Sequence, residues 1–303
     1  MPQVTVRVPA STTNLGPGFD ALGLALRLHN HARLRVTDGP VRVTVAGEGA
    51  GILESGPENL VYRAVERLCR EAGMPAPALE IHLENRIPVS RGLGSSSTAI
   101  VAGLVGANAL LGEPLDREAL LRLAVEMEGH PDNVTPALLG GFQVTSLTEE
   151  GLLHLRLPTP AGLRAVVCIP SVAVSTAEAR RVLPREYSRA DAVFNIGRVS
   201  LLVAALLTGE TAALRAAMQD RIHQPYRAPL VPGFAEAMRA ALEAGAAGAC
   251  LSGSGSTMLA LATTNESAIG EAMTRAVRAA GAGARWLALD IDEQGATVET
   301  ITP

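Results

Sequence analysis

The chain of 303 residues reads as an α+β protein of two domains, and three observations carry that reading. Short apolar–polar alternation, the period of a half-buried strand, recurs in the first third and again near the end, with helical apolar periods between, in runs and without strict β-α alternation. Hydrophobic residues make up 48% and charged residues 18%, enough apolar material for packed cores and too little charge for disorder. Finally, the stretch Leu157-Pro158-Thr159-Pro160-Ala161-Gly162 breaks every periodic pattern, which sets the expected domains at 1–158 and 159–303.

Taken in order, residues 4–8, 32–36, 41–45 and 78–83 alternate as strands. Residues 58–71 form a helix that Gly73 and Pro75 stop. A continuous apolar run follows a glycine- and serine-rich loop and reads as a buried helix. Residues 115–128 form the next helix, with Asp116 as N-cap and Leu120, Leu123, Ala124 and Met127 as its apolar stripe. Gly140-Gly141-Phe142-Gln143-Val144 returns to sheet. Past the break come a strand at 163–169 and helices at 191–207, 210–221 and 233–244. Strands at 248–251 and 257–261 then flank a second glycine-rich turn, and a helix at 266–280 and a strand at 286–291 close the pattern. The longest apolar runs fall short of a membrane span.

Composition excludes several classes. All 26 residues counted as Lys plus Arg are Arg. A P-loop nucleotidase, a protein kinase and Schiff-base or pyridoxal chemistry each need a lysine amine, so none of these fits. A net charge of −4, scattered arginines and 3% aromatics give no surface for nucleic acid or an anionic membrane. Three isolated cysteines, Cys69, Cys168 and Cys250, suggest core filler in a reducing compartment rather than a disulfide framework or a zinc site. The expectation is a soluble, cytoplasmic protein that binds no nucleic acid or membrane.

The chemistry concentrates in Pro88-Val89-Ser90-Arg91-Gly92-Leu93-Gly94-Ser95-Ser96-Ser97-Thr98. Glycines and hydroxyls that run straight into a helix put free backbone N–H groups at its positive end, the arrangement that receives a phosphate. One serine there can also offer its hydroxyl to a metal ion. A rigid polar loop, Ser11-Thr12-Thr13-Asn14-Leu15-Gly16-Pro17-Gly18-Phe19-Asp20, follows the first strand. A third cluster is Glu126-Met127-Glu128-Gly129-His130-Pro131-Asp132-Asn133. On a helical wheel Glu126 and Glu128 flank the apolar stripe on opposite sides, so pattern alone leaves open which of them faces a cleft and which faces solvent. Arginines at Arg180 and Arg227 suit a carboxylate.

These segments together resemble the GHMP small-molecule kinases, and within them the homoserine kinase family. The phosphate motif P-x-x-x-G-L-G-S-S-x is matched by residues 88–97, and the glycine-rich motif near the C-terminus by residues 248–256, with Gly253 and Gly255. The narrower likeness rests on residues 9–20, on residues 175–180 with Leu183-Pro184, and on Gln224-Pro225-Tyr226-Arg227. The resemblance implies an N-terminal domain like domain 2 of ribosomal protein S5, a ferredoxin-like C-terminal domain, and a homodimer. It implies ATP-dependent phosphorylation of the L-homoserine hydroxyl, in threonine biosynthesis. A GHMP kinase for another small alcohol and a non-catalytic binding protein of the same fold are the alternatives. Carried over position by position, residues 88–98 cradle the phosphates, Asn59 lies near adenine, and Glu126 with Ser96 or Ser97 holds Mg²⁺. Asn14, Asp20, His130, Asn133, Thr176, Arg180 and Arg227 match the amino-acid pocket, with the arginines on the carboxylate and Asp20 on the ammonium. Some relatives carry a basic Asp where Asn133 stands here. Phosphoryl transfer depends mostly on positioning and charge neutralisation, so catalysis without a dedicated base is expected, with Asp132 structural.

Overall fold

The computed structural model describes residues 1–302. The first half runs β1 (Gln3–Thr13), β2 (Leu22–Val36), β3 (Arg42–Gly47), α1 (Leu60–Glu71), β4 (Leu79–Asn85), α2 (Ser95–Leu110), α3 (Arg117–Glu128), α4 (Pro131–Leu139), β5 (Phe142–Thr148) and β6 (Gly151–Leu157). The second runs β7 (Arg164–Pro170), α5 (Thr176–Arg181), α6 (Arg189–Thr208), α7 (Leu214–Ala217), α8 (Gln224–Arg227), α9 (Phe234–Glu243), β8 (Gly248–Leu251), β9 (Met258–Ala262), α10 (Glu266–Ala279), β10 (Ala284–Leu289) and β11 (Thr297–Thr302).

The first sheet has seven strands in the order β11-β1-β2-β4-β3, with β5 and β6 branching from β2. Strand β2 serves two neighbours on one side: Leu22–Leu24 pair β5, and His31–Val36 pair β4. Its register with β1 slips between Pro9 and Ala10, where proline has no N–H to give the ladder. Alternation puts Val4, Val6, Val8, Leu34 and Ile81 under helices α1–α4, in one core with Val61, Val65, Leu104 and Leu123. Helix α2 is apolar all round and lies central in this layer, as such helices must. Asn59 and Asp116 cap α1 and α3, each accepting from a first-turn N–H.

The second sheet has the order β10-β7-β9-β8, antiparallel throughout. Counted within the unit this is 4-1-3-2, the ferredoxin-like arrangement, with α9 and α10 packed on one face through Ala237, Ala241, Ile269, Met273 and Val277. Its other face meets the first sheet: Val167, Leu259 and Leu261 share a core with Leu22, Leu24, Phe142 and with Leu202, Ala205 and Leu206 of α6. The α+β expectation holds.

Several expectations need correction. The polar loop after the first strand is shorter than its sequence suggests, because Ser11, Thr12 and Thr13 belong to β1. Helix α4 and strand β6 were not expected. The helix expected at 210–221 is broken into a 3₁₀ turn (Thr211–Ala213) and the four-residue α7. The run of small residues there lacks a continuous apolar face. Helix α6 has 20 residues, so by length and composition one helix does reach membrane-spanning size, although Leu202, Ala205 and Leu206 root it in the core. The unit expected at 159–303 does not run to its end, because β11 leaves it and pairs with β1, Gln3 opposite Thr302.

Candidate active site

Three segments far apart in sequence close around one cleft. The loop before α2 ends at Gly94, a left-handed residue (φ 73°) that serves as N-cap without a side chain. A Cβ on Gly94 would stand 2.1 Å from the Ser11 hydroxyl, and one on Gly92 would stand 2.2 Å from the Ser252 carbonyl. Glycine is therefore required where this loop is pressed against β1 on one side and the turn before β9 on the other. The contacts are specific. Ser252 Oγ meets the Gly92 carbonyl at 2.7 Å and Thr12 Oγ1 at 2.7 Å. The N–H of Thr257 donates to Arg91 O and that of Gly253 to Thr13 O.

The cleft has a volume of about 330 Å³. Val89, Ser90, Arg91, Gly92, Gly94, Ser95, Ser96 and Thr98 line it, together with Asn59, Asn133, Thr176 and Gly253. Pro88 lines a neighbouring groove instead, and Leu93 is core. Gly255 packs against Gly92, and Ser97 is wholly buried. Arg91 donates to the carbonyls of Val89, Pro170 and Ser171. Its guanidinium thus ties the loop to the end of β7, and no free cation is offered there. The Asn59 amide is likewise engaged by its own loop, accepting from Val61 N and donating to Glu54 O.

The two carboxylates that the sequence could not separate part company. Glu126 turns outward into a four-membered network, bound by Arg67 at 2.7 Å and Arg122 at 2.9 Å, with Glu71 completing the ring. The Arg67 contact, with help from Arg122, holds its carboxyl below the ordinary carboxylate range. Its assignment to a metal is therefore corrected, since its charge is already neutralised on the far side of α3. Glu128 instead lines the cleft, and its two oxygens accept from Ser96 Oγ and Ser97 Oγ, each at 2.9 Å. One carboxylate and two hydroxyls beside a helix N-terminus make a hard-oxygen set that fits Mg²⁺, an ion that takes few protein ligands and completes its shell with phosphate and water. Among the described residues no cluster of three or more His, Cys, Asp or Glu side chains gathers elsewhere.

His130 sits between acids, its Nδ1 2.7 Å from Asp132 and its Nε2 3.9 Å from Glu128. Burial opposes its charge, but the Asp132 contact and both negative charges outweigh that and raise its pKa above the ordinary value. Asp132 is buried. It opens α4, whose start lies so close on β2 that a Cβ on Gly23 would stand 2.0 Å from the Asp132 carbonyl. Asn133, the next residue, reaches the cleft and accepts from Ser11 Oγ at 2.8 Å.

The remaining expected residues form a second cluster joined to the cleft through Gly253 and Thr176. Asn14 Nδ2 and Arg227 Nη1 both donate to the Gly253 carbonyl. Thr176 begins α5, and one turn later Arg180 makes a bidentate pair with Asp20 at 2.9 and 3.0 Å. Asp20, held in the left-handed region (φ 55°), donates its N–H to Asn14 Oδ1. Sequence reasoning overlooked Phe19, over whose ring both Arg180 and Arg227 lie, 5.7 and 5.1 Å from its centroid, while His223 stacks on it at 5.3 Å. Burial, and then the charge of Arg180, bring the Arg227 pKa down to about 10, so it is still cationic at neutral pH and gains from any anion that arrives. His223, wholly buried, meets Gly16 O at 2.7 Å and Arg227 Nη1 at 3.3 Å. Burial lowers its pKa, which leaves a neutral ring able to accept from the arginine.

Residues 59–141 match the GHMP kinases N terminal domain, and residues 202–282 match GHMP kinases C terminal. A homoserine kinase of Synechococcus sp. (strain ATCC 27144) is 46% identical over 303 residues, 99% of each chain. That of Moorella thermoacetica is 46% identical over 271 residues, 89% of this chain and 91% of its own. The chain belongs to the homoserine kinase family. A crystal structure of homoserine kinase from Cytophaga hutchinsonii superposes with a TM-score of 0.90 at 36% identity, over 98% of this chain and 97% of that one. The homoserine kinase family thus accounts for both halves of the chain and for the GHMP fold. A mevalonate kinase at 13% identity and a TM-score of 0.72 shares that fold alone.

Proposed function

We propose that this chain phosphorylates the side-chain hydroxyl of L-homoserine with ATP, giving O-phospho-L-homoserine and ADP for threonine biosynthesis. The reading includes Mg²⁺ as the metal, a homodimer as the working unit, a cytoplasmic location, and a division into units at 158/159 with β11 returned to the first. One observation carries it: a glycine-rich loop at a helix N-terminus and a carboxylate–hydroxyl set share one cleft, and an arginine–aspartate cluster suited to a zwitterion adjoins it through Thr176 and Gly253. A binding protein that had lost catalysis would have no reason to keep Glu128 aimed at Ser96 and Ser97.

In this reading the N–H groups at the start of α2 receive the phosphates, and Ser96, Ser97 and Glu128 hold the metal. Bound there, Mg²⁺ neutralises charge on the phosphate oxygens. The amino acid's carboxylate takes Arg180 and Arg227, and its ammonium takes Asp20, so the substrate replaces a pair of opposite charges with its own. Phe19 presents its ring to both arginines. Asn133, fixed by Ser11, orients the hydroxyl toward the γ-phosphorus. The hydroxyl oxygen forms the new P–O bond as the bond to the β–γ bridging oxygen breaks, and ADP leaves. The hydroxyl proton is lost late, to the transferred phosphoryl group, so positioning supplies the catalysis. His130 and Asp132 fix the start of α4 and therefore Asn133.

The test is Mg²⁺-dependent ADP release with L-homoserine beside mevalonate, galactose, L-serine and L-threonine. Selective turnover of homoserine is expected. Turnover of another alcohol would keep the phosphate loop and discard the pocket assignments, and folded protein that binds ATP but turns over none of them would overturn the kinase reading.

A further inference from the structure

His223 is wholly buried behind the amino-acid pocket, outside the lining of the cleft, and the proposed reaction gives it no part. Buried ring nitrogens need partners, and those partners fix what the ring can do. Nε2 stands 2.7 Å from the Gly16 carbonyl and 3.6 Å from Asp220 Oδ2. The carboxylate has no room for the ring proton. Its Oδ1 accepts from Asn195 Nδ2 at 2.8 Å and Ile222 N at 2.9 Å. Its Oδ2 accepts from His223 N at 2.9 Å and Gln224 N at 2.7 Å. Those four donors fill its lone pairs. Gly16 is wedged in place, since a Cβ there would stand 2.2 Å from the Met218 carbonyl. The ring proton therefore sits on Nε2 and is donated to Gly16 O, which leaves Nδ1 as an acceptor.

Arg227 supplies the donor. Its five N–H bonds form a planar, rigid fork, and the chain engages three of them. Nε donates to Ala179 O at 3.1 Å, and Nη1 donates to Gly253 O at 3.1 Å and to His223 Nδ1 at 3.3 Å. Among the described residues nothing accepts from Nη2. Because the fork is planar, holding Nε and both hydrogens of Nη1 also fixes Nη2. Without the histidine, one Nη1 hydrogen would be buried and unpaired, which is costly. The charges of Asp20 and Asp132 already favour this cation, and a fork left loose would turn toward them. Phe19 joins the two residues, with the imidazole stacked on its ring at 5.3 Å and the guanidinium over it at 5.1 Å.

We infer that His223 is a positioning residue for the amino acid: its Nδ1 accepts from Arg227 Nη1 and so holds Nη2 ready for the substrate carboxylate. This rests on the proposed function, which sets that carboxylate on Arg227, and it adds a residue that touches no substrate itself. A neutral acceptor suits the task. A carboxylate in its place would neutralise Arg227 and weaken its hold on an anion, and a cation there would repel it.

Two substitutions separate the two bonds of the ring. His223→Asn sets an amide oxygen near the place of Nδ1, so it keeps the acceptor for Arg227 and gives up the Gly16 anchor. His223→Gln sets its amide nitrogen near the place of Nε2, so it keeps the anchor and gives up the acceptor. Both lose the stack on Phe19. In coupled ADP release, His223→Gln is expected to raise the homoserine KM about tenfold, as for loss of one hydrogen bond to a charged group, with kcat and the ATP KM within about twofold. His223→Asn is expected to stay within about threefold in homoserine KM although it melts at a lower temperature. A merely structural histidine gives the opposite order, with KM worsening as stability falls. In an Arg227→Lys background, His223→Gln is expected to add less than about twofold, because the group it acts through is gone.

The wild type also reports directly. With ¹⁵N-labelled histidine at about pH 7.5, one ring is expected to show Nε2 protonated and Nδ1 bare, with its signals missing from both variants and its Nδ1 signal moved by L-homoserine. A protonated Nδ1 at residue 223, or equal rises in homoserine KM for the two variants, would overturn this role and leave the kinase reading intact. Folded wild type that turns over no homoserine would overturn both.

Discussion

Glu126 and Glu128 stand two residues apart on one helix, and substituting each separates a surface role from a catalytic one. Glu126→Ala breaks contacts to Arg67 and Arg122, but both arginines keep Glu71, and the Glu126 side chain is 45% exposed. Exposed pairs of this kind are worth ~0.2–1 kcal/mol each, so losing the two costs at most about 2 kcal/mol, or a few degrees in Tm for a chain of this size. No part of that reaches the cleft, and kcat/KM should stay within about twofold of wild type. Glu128→Gln keeps an acceptor for the serine hydroxyls and removes only the charge. Metal-assisted charge stabilisation is worth several kcal/mol. At 1.36 kcal/mol per decade, a loss of ~3–5 kcal/mol lowers kcat/KM by ~10²–10⁴-fold. The assay is coupled ADP release at saturating homoserine, with Mg²⁺ titrated, and Glu128→Gln should also need more Mg²⁺ to reach its half-maximal rate. Equal losses in the two variants, or a Glu128→Gln enzyme with an unchanged Mg²⁺ requirement, would refute the assignment of the metal to Glu128.

Replacing Arg180 by Ala removes a bidentate cation and should raise the homoserine KM by ~10–100-fold, the worth of charged hydrogen bonds, with the ATP KM unchanged; equal increases in both would take Arg180 out of the amino-acid pocket. Asp132→Asn should leave turnover within about tenfold, because loss of a general base costs ~10²–10⁴-fold and Asp132 faces His130 instead. A larger drop would restore a base to the mechanism. Asp292 is buried, which alone would raise its pKa, but the His29 contact at 2.7 Å and the N–H groups of Gly295 and Gln294 lower it below the ordinary value. A depressed acid stabilises the fold above its unfolded pKa, and that stability is lost as pH falls through the lower folded value. Urea midpoints taken from about pH 6 to about pH 3 should therefore fall more steeply for the wild type than for Asp292→Asn, and parallel slopes would discard the contribution.

The sheet and helix order was largely legible because most elements have one buried face and write a clear period. Helix α4 was not, since Pro131 and Pro136 lie in a nine-residue segment and its existence depends on docking against Gly23 of β2. The broken segment at 210–221 failed for the opposite reason: its alanines favour helix, but only Leu214, Ala217 and Met218 are buried there to hold one. At the site, glycine spacing marked the tight loop that enters α2, because backbone demands are local and visible in sequence. The choice between Glu126 and Glu128 was not visible. It depends on Arg67, which reaches over from α1 to join Arg122 in capturing one of them, and that is tertiary information. Phe19 has no periodic partner in sequence, though an aromatic flanked by glycine and aspartate in a polar loop is itself a signal.

The return of β11 to β1 has a consequence for how this molecule is made. During synthesis the first sheet emerges with one edge open. The strand that closes it leaves the ribosome only after the whole second unit. The nascent N-terminal half, cleft elements included, must therefore persist with an unpaired strand edge until the second unit has been made, and cutting the chain after residue 158 would leave a fragment with that edge permanently exposed and prone to pair with others. The same pairing sets Gln3 opposite Thr302, so the two ends of the described chain meet. A short linker could join them and new ends be opened in an exposed turn elsewhere, giving a permuted chain in which the closing strand is made first.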